Sequence, residues 1–104
     1  MKDMATIHAT TRTGAGKGVA RRLRIADPEQ IPAVLYGGGQ PNINLTLVLR
    51  DWLMIMNRER LELKKNPHEL IVDGGEPIPV VIRGMQIHAL TGRPMHVDFF
   101  RGTL

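Results

Sequence analysis

Most apolar positions along this chain alternate with polar ones. Residues 6–12 are threonine-rich and alternate, which predicts a strand with Ile7, Ala9 and Thr11 facing in and His8, Thr10 and Arg12 facing out. Residues 31–36 predict a second strand, whose Pro32 suits a strand start or an edge. Residues 43–49 alternate cleanly, with Ile43, Leu45, Leu47 and Leu49 expected inside. Further strands are expected at 69–72, 78–88 and 95–100, and a short one at 61–63. Gly84 within the longest of these suggests a bulge. In the last strand Val97 and Phe99 point one way and His96 and Asp98 the other. Asp73-Gly74-Gly75 marks a hairpin turn between two of the strands.

Two stretches break the alternation. Residues 17–27 contain no proline, and Val19, Leu23 and Ala26 recur at helical spacing on one face. Lys17, Arg21 and Arg24 have the same spacing on the opposite face, with Arg22 on the flank. Pro28 ends that helix, because proline disfavours the helical conformation of the residue before it. A second helix is expected from Trp52 to about residue 60, capped by Asp51, with Trp52, Ile55 and Met56 on its apolar side. Six or seven short strands and two helices make a mainly β chain. A sheet of this length curls into a small barrel or half-barrel, which leaves few edges open.

The chain has 104 residues, which predicts one domain over 1–104. It has no cysteine, so disulfides, zinc–thiolate sites and thiol chemistry are excluded, and a reducing cytoplasm suits it. No run approaches the roughly 18 apolar residues of a spanning helix, so no membrane partner is expected. Residues 1–15 lack the apolar segment of a secretory signal.

Charge adds a direction to this picture. Residues 1–24 hold six Lys/Arg and one Asp, a balance of +5, whereas residues 25–104 come to −1. The formal +4 of the chain therefore arises in its first quarter. Glycines at 14, 16 and 18 open the basic helix, and the first N–H groups of a helix are free to meet an anion. No acidic residue interrupts the basic face before Asp27, so the face is not salt-bridged along its own length. A solvated surface is the ordinary reading of three such cations. A polyanionic partner is the alternative that their localisation favours.

Nucleotide and metal motifs fail on inspection. The phosphate loop of NTPases needs glycine where Thr11 stands and a hydroxyl where Gly18 stands. The dinucleotide fingerprint meets Val19 or Arg21 at its last glycine. His96 and Asp98, with His88 as the one obvious third candidate, fall short of a metal's ligand set. No cofactor and no catalytic residue is expected. A polar pair on a strand can instead read base edges or 2′-hydroxyls beside a basic helix. Tyr36, at a strand end before glycines, is either a rim residue of the barrel or a nucleic-acid contact.

Three elements in order carry a resemblance. They are Gly16-Lys17-Gly18 followed by Ala20-Arg21-Arg22-Leu23-Arg24, then Ile31-Pro32-Ala33-Val34-Leu35-Tyr36-Gly37-Gly38, then Gln86-x-His88 with His96-Val97-Asp98-Phe99. Together they resemble the bacterial large-subunit ribosomal protein twenty-five family, the 5S rRNA-binding proteins related to the general stress protein Ctc. The resemblance implies a six-stranded β-barrel flanked by two or three short helices. It implies binding to the loop E region of 5S rRNA, with the basic helix in a widened minor groove and barrel residues beside it. Carried over position by position, the implied contacts are Arg12, Lys17, Ala20, Arg21, Arg22, Arg24, Tyr36, Gln86, His96 and Asp98. It also implies a cytoplasmic ribosomal component with neighbouring large-subunit proteins, monomeric off the ribosome. Many relatives have serine where this chain has Ala20, and proline where it has Ala89. Longer relatives append a second β-rich domain, so the short form is expected here. Two other classes stand beside this reading: a stress-related protein-interaction module with an acidic partner, and a small enzyme using His96, Asp98 and His88.

Overall fold

A computed structural model describes residues 5–12, 17–26, 28–59 and 62–102. The side chains of Lys17, Val19 and Ala20 lie outside that description, as does the glycine-rich opening at 13–16. The elements run β1 (Thr6–Thr11), α1 (Lys17–Ile25), β2 (Gln30–Tyr36), β3 (Ile43–Val48), α2 (Leu49–Glu59), β4 (His68–Val72), β5 (Ile78–Ile87) and β6 (Pro94–Arg101). The strands close into a barrel in the order β1-β3-β2-β6-β5-β4. Two of its seams are parallel, β1 with β4 and β2 with β6; the others are antiparallel. Closure gives each strand two neighbours and removes the free edges that a flat sheet of this size would leave.

Alternation along the strands fills the interior. Ile7 of β1, Ile31, Ala33 and Leu35 of β2, Leu45 and Leu47 of β3, Leu70 of β4, Val80 and Ile82 of β5, and Val97 and Phe99 of β6 are all buried. α2 contributes Trp52, whose ring meets Phe99 edge-on at 5.9 Å between centroids. Ile55 and Met56 pack partly buried against the same cluster, as their helical spacing predicts. The buried indole adds apolar area to the core beyond what the strands supply.

The structure departs from the pattern at a few places. The 43–49 strand stops at Val48, and α2 begins at Leu49 with no loop between. Asp51 is therefore in the first turn of the helix rather than its cap. The physical reason is that Leu49 N–H donates to Glu29 O at 2.9 Å, so one orphan donor of the helix start is satisfied by the barrel itself. No strand forms at 62–63: Lys65 N–H and Asn66 N–H both donate to Glu62 O, which closes a helical turn and buries Leu63. Leu61 lies outside the described residues. Thr11 is exposed, not inward, and its hydroxyl donates to Asp73 Oδ2 at 2.8 Å. The Asp73-Gly74 turn does join β4 and β5, with positive φ at both residues. The register slips between Ile82 and Gly84, where the bulge was expected.

β4 starts one residue earlier than its pattern predicts, at His68, which is fully buried. Its Nδ1 accepts from Ala5 N–H at 3.2 Å, and its Nε2 lies 2.8 Å from Leu63 O. A ring with its proton on Nε2 satisfies both contacts, and so ties the start of β1 and the turn after α2 to β4.

Candidate nucleic-acid interface

α1 rests on β2. Leu23 and Ala26 are half-buried against the barrel, while Arg21, Arg22 and Arg24 are exposed. Among the described side chains of α1, Arg21 to Ile25, none enters the core cluster. Among the described residues, none of the three arginines has an ion-pair partner. Arg22 and Arg24 lie in the last turn, where cations meet the partial negative charge of the helix end favourably. Arg22 leans back along the helix, its Nη1 3.7 Å from the position a Cβ on Gly18 would take. Lys17 and Ala20 lie on α1, but their side chains are outside the described residues.

The second surface is the outer face of β2, β6 and β5. Val97 and Phe99 point in, so His96, Asp98 and Phe100 point out. Gln86 stands opposite His96 across the β5–β6 seam, and Gly84 stands opposite Asp98. Cross-strand partners share a face, so Gln86, His96 and Asp98 form one polar cluster. His96 Nδ1 is 3.2 Å from Asp98 Oδ1. That contact engages Nδ1 and leaves the imidazole partly exposed beside the carboxylate. The second carboxylate oxygen stays available as an acceptor. Beside the cluster, Tyr36 at the end of β2 pairs with Phe100 across the β2–β6 seam, edge-on at 5.4 Å.

Gly84 does more than permit a bulge. A Cβ at this position would sit 3.2 Å from Asp98 Oδ2, so the missing side chain makes the room in which the carboxylate lies over β5. The same bulge sends Arg83 across Phe100, with its guanidinium carbon 4.3 Å from the ring centroid. Arg83 is exposed and adds a cation to this face that the alternation pattern did not single out. The available signal was the Arg83-Gly84 pair inside a strand, where a bulge turns one extra side chain outward.

Arg12 is placed differently from its expected outward position. Its Nε donates to Leu45 O at 2.8 Å and its Nη2 reaches Ala33 O at 3.4 Å. The guanidinium thus clamps β3 and β2 where β1 leaves the barrel, and burial lowers its pKa from the usual arginine value. His88, the candidate third ligand, accepts through Nδ1 from the N–H groups of Leu90 and Thr91 and so shapes the β5–β6 turn. Among the described residues no three His, Asp or Glu side chains gather as metal ligands do.

The sequence model of the Ribosomal L25p family matches residues 7–99 of this chain. The chain belongs to the Ribosomal L25p family. Its sequence is 39% identical over 101 residues to the large ribosomal subunit protein bL25 of Rhodospirillum rubrum, covering 97% of this chain and 46% of that protein. Identity to the bL25 of Gluconobacter oxydans is 36% over 102 residues, with 97% and 44% covered. For Colwellia psychrerythraea it is 35% over 101 residues, with 97% and 46% covered. The chain thus spans a little under half the length of these curated relatives. The L25p match takes in β1, α1 and the polar cluster on β5 and β6 alike, so both surfaces lie within the family's shared region.

Proposed function

We propose that this chain is a structural, non-catalytic component of the large ribosomal subunit that binds 5S rRNA in the loop E region, through α1 and the adjoining barrel face. The observation that carries the reading is the pairing of two unlike surfaces. One is a short helix whose exposed arginines have no carboxylate partner among the described residues. The other is the Gln86–His96–Asp98 cluster on a convex strand face. The names of the relatives, all large-subunit ribosomal proteins, support the same placement.

The two surfaces do different work. Arg21 and Arg24, with Lys17 in register on the same helix, neutralise phosphates and release counterions. With three or four phosphates engaged, log K falls against log salt with a slope of about −3 to −4. This attraction is blind to sequence. Selectivity comes from the polar cluster, since an A-form minor groove exposes 2′-hydroxyls and base edges that donors and acceptors on a rigid strand can match. Non-Watson–Crick pairs widen the groove and present unusual edges, which is why a helical internal loop suits the site better than a regular duplex. In this reading residues 1–104 act as one cytoplasmic RNA-binding domain, monomeric off the ribosome and flanked on it by other large-subunit proteins.

A chemical footprint of the purified protein on naked 5S rRNA tests the proposal. Protection confined to loop E is expected. Protection spread evenly along the RNA would leave a general polyanion binder. No protection, together with salt-sensitive binding to an acidic protein, would favour the interaction-module reading.

A further inference from the structure

The junction after α1 contains a contact that neither RNA-facing surface uses. Arg93, immediately before β6, reaches back to Glu29, immediately before β2. Its Nε and Nη2 both donate to Glu29 Oε2, at 2.8 and 2.6 Å, and Nη2 also lies 3.5 Å from Gln30 O. The Arg93 side chain is 17% exposed and that of Glu29 41%, so the guanidinium is largely shielded while the carboxylate stays within reach of solvent.

Its location gives it significance. The parallel ladder between β2 and β6 runs from Ala33–Val97 to Tyr36–Phe100. The first residues of both strands, Gln30–Pro32 and Pro94–His96, have no mutual ladder partners in that register. That unpaired end is where α1 leaves, four residues before Glu29, and where β6 leads into His96 and Asp98. The Arg93–Glu29 contact closes it. Glu29 is held from a second side as well, because its carbonyl accepts from Leu49 N–H at the start of α2. α1 packs on β2, and its described side chains, Arg21 to Ile25, stay outside the core cluster.

We infer that Arg93 and Glu29 are a positioning pair, which fixes the exit of α1 relative to β6 so that the arginines of the helix and the Gln86–His96–Asp98 cluster meet one RNA together. The inference rests on the RNA-binding reading above and names two residues that reading does not use. Neither touches RNA. Together they remove freedom that binding would otherwise have to remove, and preorganisation of this kind raises affinity without a new contact.

The experiment compares R93M, E29Q and the charge-swapped double variant E29R/R93E with the unaltered chain. Two measurements are made: affinity for a loop E fragment across a salt series, well below the unfolding temperature, and amide hydrogen exchange of the free proteins. R93M and E29Q are each expected to weaken binding roughly tenfold, the scale of one lost charge-assisted contact. Their salt slope should stay unchanged, and exchange at the end of α1 and the start of β2 should quicken. The swap should recover most of the affinity. Either of two RNA-binding results overturns the pairing. In one, R93M lowers the salt slope by about one and the swap fails to rescue, which marks Arg93 as a phosphate contact. In the other, both single variants bind like the unaltered chain. Unchanged hydrogen exchange in E29Q also overturns it, whatever the RNA result. Failure of the RNA reading itself shows separately, as an unaltered chain with no preference for loop E over duplex RNA.

Discussion

Replacing Gly37 by alanine tests the join between the barrel and its aromatic rim. Gly37 follows β2 with φ +91, a region that L side chains avoid. An added Cβ would lie 2.6 Å from Cε2 of Phe100 and 2.8 Å from both Cδ2 and Cζ. Phe100 cannot yield freely, because it packs edge-on against Tyr36 and lies under Arg83. Backbone strain of this kind costs about 1–2 kcal/mol. Displacing a packed ring costs about 1–3 kcal/mol more, and weakening the Tyr36 pair about 0.5–1.5. The expected loss is roughly 3–5 kcal/mol, against a total stability on the order of 5–15. For a chain of this size that lowers Tm by about 12–30 °C. G39A supplies the control. Gly39 also has positive φ, at +71, but an added Cβ there meets nothing within 4 Å. It should cost only the backbone strain, about 1–2 kcal/mol. Urea unfolding of both variants, with the slope m checked for constancy, reads the difference. If G37A fell within about 0.5 kcal/mol of G39A, the close approach of Phe100 would have no energetic content and the rim would be soft.

Other outcomes follow from the two surfaces and from the Arg12 clamp. R21Q/R24Q should flatten the slope of log K against log salt by about 1.5, measured by titration with a loop E fragment; an unaltered slope would remove these arginines from the interface. D98N should lower the preference for loop E over a plain duplex roughly tenfold with little change in salt dependence, and equal losses on both RNAs would show that Asp98 is not a reader. R12M should lower stability by about 2 kcal/mol, since the carbonyls of Leu45 and Ala33 lose a charged donor, and an unchanged urea midpoint would sink the clamp.

The local elements were readable because each depends on neighbours in sequence. Alternation at 43–48 and 97–99 marks strands because a pleated chain turns successive side chains to opposite faces. The arginines of α1 could be assigned to one exposed side because 3.6 residues make a turn. The Asp73-Gly74 turn was legible because few residues tolerate positive φ. Local signals misled where a distant group met a local need. A cap at Asp51 looked necessary until Glu29 O supplied the acceptor for Leu49 N–H. Arg12 reads as an outward residue from alternation alone, yet its guanidinium is drawn to carbonyls on β3 and β2.

The sequence alone determined that this is a mainly β chain with a cationic helix and a polar His96–Asp98 pair on one strand face, because periodicity and charge are written residue by residue. Only the tertiary structure decided how the strands close, that Gly84 makes space for the Asp98 carboxylate, and that Arg93 reaches Glu29. Those facts join positions up to 64 residues apart. Their partners are chosen by barrel closure and register, which bring distant strands together by burying a shared core and which no short window of sequence contains.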